Sequence, residues 1–247
     1  MLEIESKSGI TVIRMDHGKV NAMDLEFCQA LTKELLHLAE SDCRAAVLTG
    51  NDRVFSAGVD LVRLIGEGQP YLNEFLPALT LCFRTIFQFP KPIVAAINGH
   101  AIAGGCILAT ACDQRLIQPR ARIGLPELRV GVPLPSIAIE IMRFAVAPQA
   151  FQAMVTVGKN YRNDEATTVG LADRVVEKES LMEQAIKAAT ELTAIPASVF
   201  AISKRQMRFP AELQVQASEA EFENSIEALW HSEEIRNEIH LYVNDRL

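Results

Sequence analysis

The sequence predicts an α/β chain whose core repeats strand–strand–helix turns and whose C-terminal end is helical. Three observations carry this reading. Short apolar or alternating runs at 2–6, 10–14, 45–49 and 92–97 have the length and composition of strands. The pair Gly104-Gly105 stands between such a run and an apolar stretch of helical length. From Ala147 onward the pattern turns mostly helical.

In chain order, the alternating segments 2–6 and 10–14 flank Lys7-Ser8-Gly9 and predict a hairpin. Asp24 caps a helix in which Cys28, Leu31, Leu35 and Leu38 recur at helical spacing. A buried strand at 45–49 runs into the small-residue loop Phe55-Ser56-Ala57-Gly58-Val59, and Asp60 reads as the cap of the apolar segment after it. Residues 61–74 show no clear period and contain Gly66-Glu67-Gly68-Gln69-Pro70, which predicts a partly mobile loop. A helix resumes over 76–87. The buried strand 92–97 leaves through a turn at Asn98-Gly99-His100-Ala101, and short strands follow the next helix at 115–117 and 121–123.

Beyond Ala147, residues 172–176 fit one more strand, and Asn163-Asp164-Glu165-Ala166 starts a helix that Gly170 ends. Phe222, Ile226, Leu229 and Trp230 form an apolar stripe, with Glu219, Glu223 and Glu227 on other faces; such a stripe serves core or subunit contact. No Ser/Gly linker or low-complexity tract divides the chain. It reads as a core over 1–195 followed by a helical region over 196–247.

Composition narrows the function classes. A net charge of −7 with no basic stripe argues against a nucleic-acid partner. No apolar run approaches a membrane span, and Met1-Leu2-Glu3-Ile4-Glu5 is not a signal peptide. Asn244-Asp245-Arg246-Leu247 is not a peroxisomal address, so a cytoplasmic protein is expected. Five scattered cysteines lack any CxxC spacing and fit a reducing compartment, with Cys28, Cys82 and Cys106 as small core hydrophobes. The histidines are equally dispersed, and no metal site is expected.

The chemistry concentrates in three places. A glycine pair at a helix start leaves backbone N–H groups unshielded at the positive end of the helix dipole, where a developing oxyanion can sit. Tight packing explains paired glycines equally well. The loop around Gly58 is a second such place, and Ile123-Gly124-Leu125-Pro126-Glu127-Leu128 sets one carboxylate among apolar neighbours. A Glu after proline is usually a solvated turn residue. Cys106 follows the glycine pair and is a candidate thiol, with no histidine near it in sequence.

Taken together, Phe55-Ser56-Ala57-Gly58-Val59-Asp60-Leu61, Asn98-Gly99-His100-Ala101-Ile102-Ala103-Gly104-Gly105 and Ala111-Cys112-Asp113 resemble the motifs of the crotonase superfamily, the enoyl-CoA hydratases and isomerases. The resemblance covers nearly the whole chain. It implies a spiral of ββα turns with a helical C-terminal oligomerisation region, and hence a homotrimer or a dimer of trimers. It also implies an acyl-CoA thioester substrate, with coenzyme A as substrate carrier and no tightly bound cofactor.

By position in those motifs, the oxyanion donors are the backbone N–H groups of Val59 and Gly104. Ala57, Gly58, Gly105, Ile107, Leu134 and Lys19 contact substrate. Glu127 matches one of the two glutamates of the hydratases, and Ile107 stands where the other belongs. Two carboxylates divide the work of adding water, whereas one is enough to move a proton between two carbons. The pattern therefore looks like the 3-enoyl-CoA to 2-enoyl-CoA isomerases, with Glu127 as acid and base. Pro133-Leu134-Pro135-Ser136-Ile137 replaces the family's glycine-rich pocket segment and leaves Glu140 a second candidate acid. Lys204, Arg205 and Arg208 are unranked candidates for the CoA 3′-phosphate. Asp113 reads as a structural anchor and His100 as a structural turn residue. Weak hydration, thioester hydrolysis and non-catalytic acyl-CoA binding are the competing readings.

Overall fold

The computed structural model describes residues 1–51 and 53–246, so Leu247 of the C-terminal tetrapeptide lies outside the described residues. Strands β1 (Leu2–Lys7) and β2 (Ile10–Met15) pair antiparallel across Ser8-Gly9, where φ is 54° and 80°. A two-residue hairpin needs that left-handed backbone, and the expected hairpin is present. A short strand β3 (Ala22–Met23) leads to α1 (Leu25–Glu40), capped by Asp24, which accepts the Phe27 N–H at 2.8 Å.

Three rounds of the same design come next. Strands β4 (Ala45–Thr49), β5 (Val54–Ser56) and β6 (Gly58–Val59) precede α2 (Leu61–Gln88). Strands β7 (Ile93–Ile97) and β8 (His100–Ile102) precede α3 (Gly104–Ala111). Strands β9 (Gln114–Ile117) and β10 (Ile123–Gly124) precede the single turn α4 (Glu127–Val130). The rest comprises α5 (Ser136–Ala145), α6 (Pro148–Val157), β11 (Asn160–Tyr161), α7 (Asn163–Thr168), β12 (Arg174–Val175), α8 (Leu181–Leu192), α9 (Ala197–Trp230) and α10 (Glu233–Arg246).

Each round gives its first strand to one sheet and its second to another, then returns by a helix. One sheet has the order β1-β2-β4-β7-β9-β12, and a second has the order β11-β10-β8-β5. Beyond the hairpin, every pairing in the first sheet is parallel. Ile13, Leu48, Ala95 and Ile97 pack on one face. Val12, Val47, Val94 and Ala96 pack on the other, against Leu181, Ala185 and Ala189 of α8. Strands covered on both faces read as unbroken apolar runs, as 45–49 and 93–97 do.

Local expectations fail in three places. Residues 61–74 are helical, not a loop: α2 is two helices merged at Gly68 (φ 68°, ψ −153°). Asp60 caps the first by accepting the Arg63 N–H at 2.9 Å, and Pro70 sits in the opening turn of the second. The buried face of Leu64, Tyr71, Leu72, Phe75 and Leu79 outweighs the breaker residues. His100 and Ala101 belong to β8, because only Asn98-Gly99 makes the turn. The apolar stripe on α9 is split: Trp230 is buried and Ile226 packs on the core, while Phe222 and Leu229 are exposed.

Asp113 is the anchor the sequence predicts. Its carboxylate accepts from the Ile93 N–H (2.9 Å), Lys204 Nζ (2.7 Å) and Arg208 Nη2 (2.8 Å), all at buried positions. This ties α9 to the base of β7. Removing the carboxylate strands two buried cations. Asp113→Ala should therefore cost roughly 3–5 kcal/mol of unfolding free energy, read from urea denaturation. A loss below about 1 kcal/mol would show that solvent or other groups take over the pairing.

Candidate active site

The site grows from two loops leaving parallel neighbours. Strands β5 and β8 pair side by side, so the chain after Ser56 and the chain after Ile102 emerge together. The first loop is fixed from inside. Ser56 Oγ donates to Asn21 O (2.7 Å) and accepts the Gly58 N–H (3.1 Å), and the Ala57 N–H reaches Val20 O (3.0 Å). Gly58 has φ 89°, and a Cβ there would stand 2.6 Å from Ala103 Cβ.

The second loop turns at Ala103, a non-glycine residue held at φ 56° and ψ −127°. Strain of this kind persists only where the surroundings enforce it, and it clusters at functional sites. Gly104 and Gly105 then occupy the first two helical positions of α3, where N–H groups have no intrahelical acceptor. A Cβ on Gly104 would lie 2.8 Å from Met23 Sδ and 3.6 Å from Gly58 Cα. A Cβ on Gly105 would meet Ser56 O at 2.4 Å.

Glu127 comes from the third round. It opens α4 after Pro126 and is buried, and its Oε2 has no hydrogen-bond partner among the described residues. Burial pushes its carboxyl up to about 8, because an ion there loses its water without gaining a cation.

These elements enclose a cavity of about 760 Å³. Ala57, Val59, Gly104, Ile107, Glu127 and Leu134 line it, so most of the residues named from the motifs meet on one wall. Gly58 and Gly105 do not: they face Ala103 and Ser56, where they permit backbone contact. Lys19 is exposed in the turn before Val20, and only Val20 reaches the cavity. Glu140 is also outside it; that carboxylate is buried on α5 and pairs with Arg143 Nη1 at 2.9 Å. Lys204 and Arg208 are committed to Asp113, and Arg205 is exposed on α9. Cys106 is fully buried off the cavity wall, and burial pushes its thiol up, away from thiolate.

Sequence reasoning missed the rest of the wall. Leu79 and Phe83 come from α2, Trp230 ends α9, and Tyr242 lies on α10. Trp230 was visible as part of a stripe; Tyr242 carried no local signal. His100 lines the cavity too, with Nδ1 accepting the Arg122 N–H at 3.1 Å. In a neutral ring this leaves the proton on Nε2. Among the other charged wall groups, Asp60 caps α2, and Arg63 is held by Glu26 (2.9 Å) and Glu67 (2.6 Å). Among the described residues, no group of three or more His, Cys, Asp or Glu is arranged to hold a metal ion. None of the described helices alone is long and apolar enough to cross a membrane.

A spiral of ββα rounds with a buried carboxyl facing two glycine-bearing loops is the architecture of an acyl-CoA enzyme of the crotonase superfamily. The sequence profile of the family described as Enoyl-CoA hydratase/isomerase matches residues 5–247, and the chain belongs to that family. Human enoyl-CoA delta isomerase 1 of mitochondria is 30% identical over 212 residues, 84% of this chain and 70% of that protein. A putative enoyl-CoA hydratase of Thermus thermophilus is 32% identical over 198 residues, covering 78% of this chain and 77% of that protein. The crystal structure of human mitochondrial delta3-delta2-enoyl-CoA isomerase superposes with a TM-score of 0.93. It is 26% identical and covers 99% of this chain and 97% of its own.

The buried carboxyl has a consequence for stability. In the unfolded chain Glu127 loses its proton near 4.5, whereas in the fold it keeps it to about 8. Between those values the folded state binds the extra proton, so stability falls as pH rises. The fall should reach a few kcal/mol, since each tenfold gain in proton affinity on folding is worth roughly 1.4 kcal/mol. Glu127→Gln should lose this slope and be the more stable protein at pH 8, with the two converging near pH 5. Equal pH slopes in urea denaturation would show that Glu127 is solvated.

Proposed function

We propose that this enzyme moves the double bond of 3-enoyl-CoA thioesters to give 2-enoyl-CoA, with Glu127 as the single acid–base group. The observation that carries the proposal is one buried carboxyl with an unpartnered oxygen among apolar cavity residues, with the aliphatic Ile107 where a second carboxylate would serve hydration. In this reading the thioester oxygen accepts the Val59 and Gly104 N–H groups. The Glu127 carboxylate takes a proton from C2, leaving a dienolate whose charge rests on that oxygen. The same carboxyl then returns the proton to C4, and the double bond ends between C2 and C3. No water is consumed. Each oxyanion donor contributes ~3–4 kcal/mol to lowering such a barrier.

A carboxyl that titrates at about 8 suits both halves of the reaction, since a proton is accepted and returned near neutral pH. Activity needs the ionised form first, so kcat/KM should rise with pH and level off above about 8. Glu127→Gln should lower isomerisation at least ~10²-fold while leaving acyl-CoA binding intact. Unchanged turnover would move the role to another group. Similarity to the human isomerase supports the reading, and similarity to the Thermus hydratase names its rival. The two separate in the wild-type protein: 3-hydroxyacyl-CoA formed from 2-enoyl-CoA as fast as 3-enoyl-CoA is isomerised would favour hydration.

Coenzyme A enters this reading as substrate carrier, its nucleotide end at the exposed mouth near Val20, with Lys19 next to it. A division of the chain into an acyl-CoA-binding core over 1–195 and an oligomerising region over 196–247 belongs to the same proposal. Exposed Val199, Ile202, Phe209 and Leu213 on α9 support self-association. Light scattering should give the mass of three or six chains, and a monomer would count against it.

A further inference from the structure

We infer that Trp230 sets the length of the acyl group and that this group is an uncharged hydrocarbon chain. The inference rests on the acyl-CoA reading of the cavity. The cavity has a wet end and a dry end. Val20 and Val62 are 43% and 56% exposed and His100 is exposed, which marks the mouth. Leu79, Phe83, Ile107, Leu134 and Trp230 are 6% exposed or less, which marks the inner wall. A CoA thioester has one large, charged end that must stay in water, so its acyl end points inward.

Among the described residues, the inner wall holds no acidic or basic side chain other than Glu127. Arg63, the cation on the wall, is consumed by Glu26, Glu67 and Asp24. A carboxylated acyl group would find no counter-ion there, and burying a lone charge is costly. A hydrocarbon chain gains about fourfold in affinity for each methylene that reaches apolar surface. The gain stops where the wall stops it.

Leu79 and Phe83 on α2, Ile107 on α3 and Trp230 at the end of α9 all pack in one apolar core cluster that borders the cavity. Trp230 ends α9 and reaches the cavity from the C-terminal end of the chain, as does Tyr242 of α10. It is the largest side chain on the inner wall. Shortening it enlarges the cavity.

The test measures binding of saturated acyl-CoAs of increasing chain length by calorimetry, to the wild-type protein, Trp230→Ala and Trp230→Phe. In the wild type, affinity should climb with chain length to a limit and then stop. Trp230→Ala should move that limit to longer chains and raise the ratio of longest-chain to shortest-chain affinity at least tenfold, with Trp230→Phe intermediate. An acyl-CoA ending in a carboxylate should bind the wild type no better than free coenzyme A. An unchanged length profile in either folded variant, or strong binding of the carboxylated acyl-CoA, overturns the inference. Saturated chains do not react, so binding reports on the wall alone. Failure to isomerise 3-enoyl-CoA with this profile intact would count against the proposed reaction and leave Trp230 in its role.

Discussion

The first loop meets the second at Gly58, where a Cβ would stand 2.6 Å from Ala103 Cβ and 3.0 Å from the Gly104 nitrogen, and the geometry of the cavity follows from that contact. Parallel pairing of β5 with β8 brings the loops out together, yet pairing alone would leave them a side chain apart. Glycine at 58 and 105 removes that spacing, and Ser56 locks the first loop from below through Asn21 and Gly58. Ala103 is forced into a left-handed backbone as the cost of turning from β8 directly into α3. Gly105 and Gly58 thus let the two loops approach while not themselves lining the cavity. Val59 and Gly104 are left lining the same cavity.

The chain treats its buried charges in two opposite ways. Asp113 is surrounded by donors, with Lys204, Arg208 and the Ile93 N–H sharing its two oxygens. Burial still pulls Lys204 down to about 8, so desolvation outweighs even this pairing. The cluster fixes where α9 begins its run across the core. Glu127 has no such company: an oxygen stays unpartnered and the carboxyl holds its proton into the neutral range. An arrangement that weakens the fold at high pH has no structural benefit. A carboxyl kept ready to exchange a proton does have a chemical one.

The features legible in the sequence were local. The hairpin at Ser8-Gly9, the caps at Asp24 and Asp60 and the doubly covered strands follow from turn chemistry and periodicity over a few residues. The α2 segment did not, because Gly68 and Pro70 break the pattern locally while the buried face continues across the break. Glu140 shows a second limit. Burial of a carboxylate in an apolar run is readable, but which side of α5 it takes is not, and it pairs with Arg143 away from the cavity. Lys204 and Arg208 are likewise spent on Asp113, 91 and 95 residues away in sequence.

Long-range closure is the part no local pattern announces. The C-terminal helices fold onto their own core, and α10 crosses the end of the turn that carries Glu127. Gly131, which ends that turn at φ 87°, has no space for a Cβ, since it would lie 2.9 Å from Glu238 Cβ. The same helix pair supplies Trp230 and Tyr242 to the cavity. One element therefore borders both the turn that carries Glu127 and the wall of the cavity. A change in how α10 seats is felt at both, because a close-packed contact transmits displacement instead of absorbing it. The glycine at 131 is to this closure what the one at 58 is to the two loops: a place where the missing Cβ lets a neighbouring element seat close.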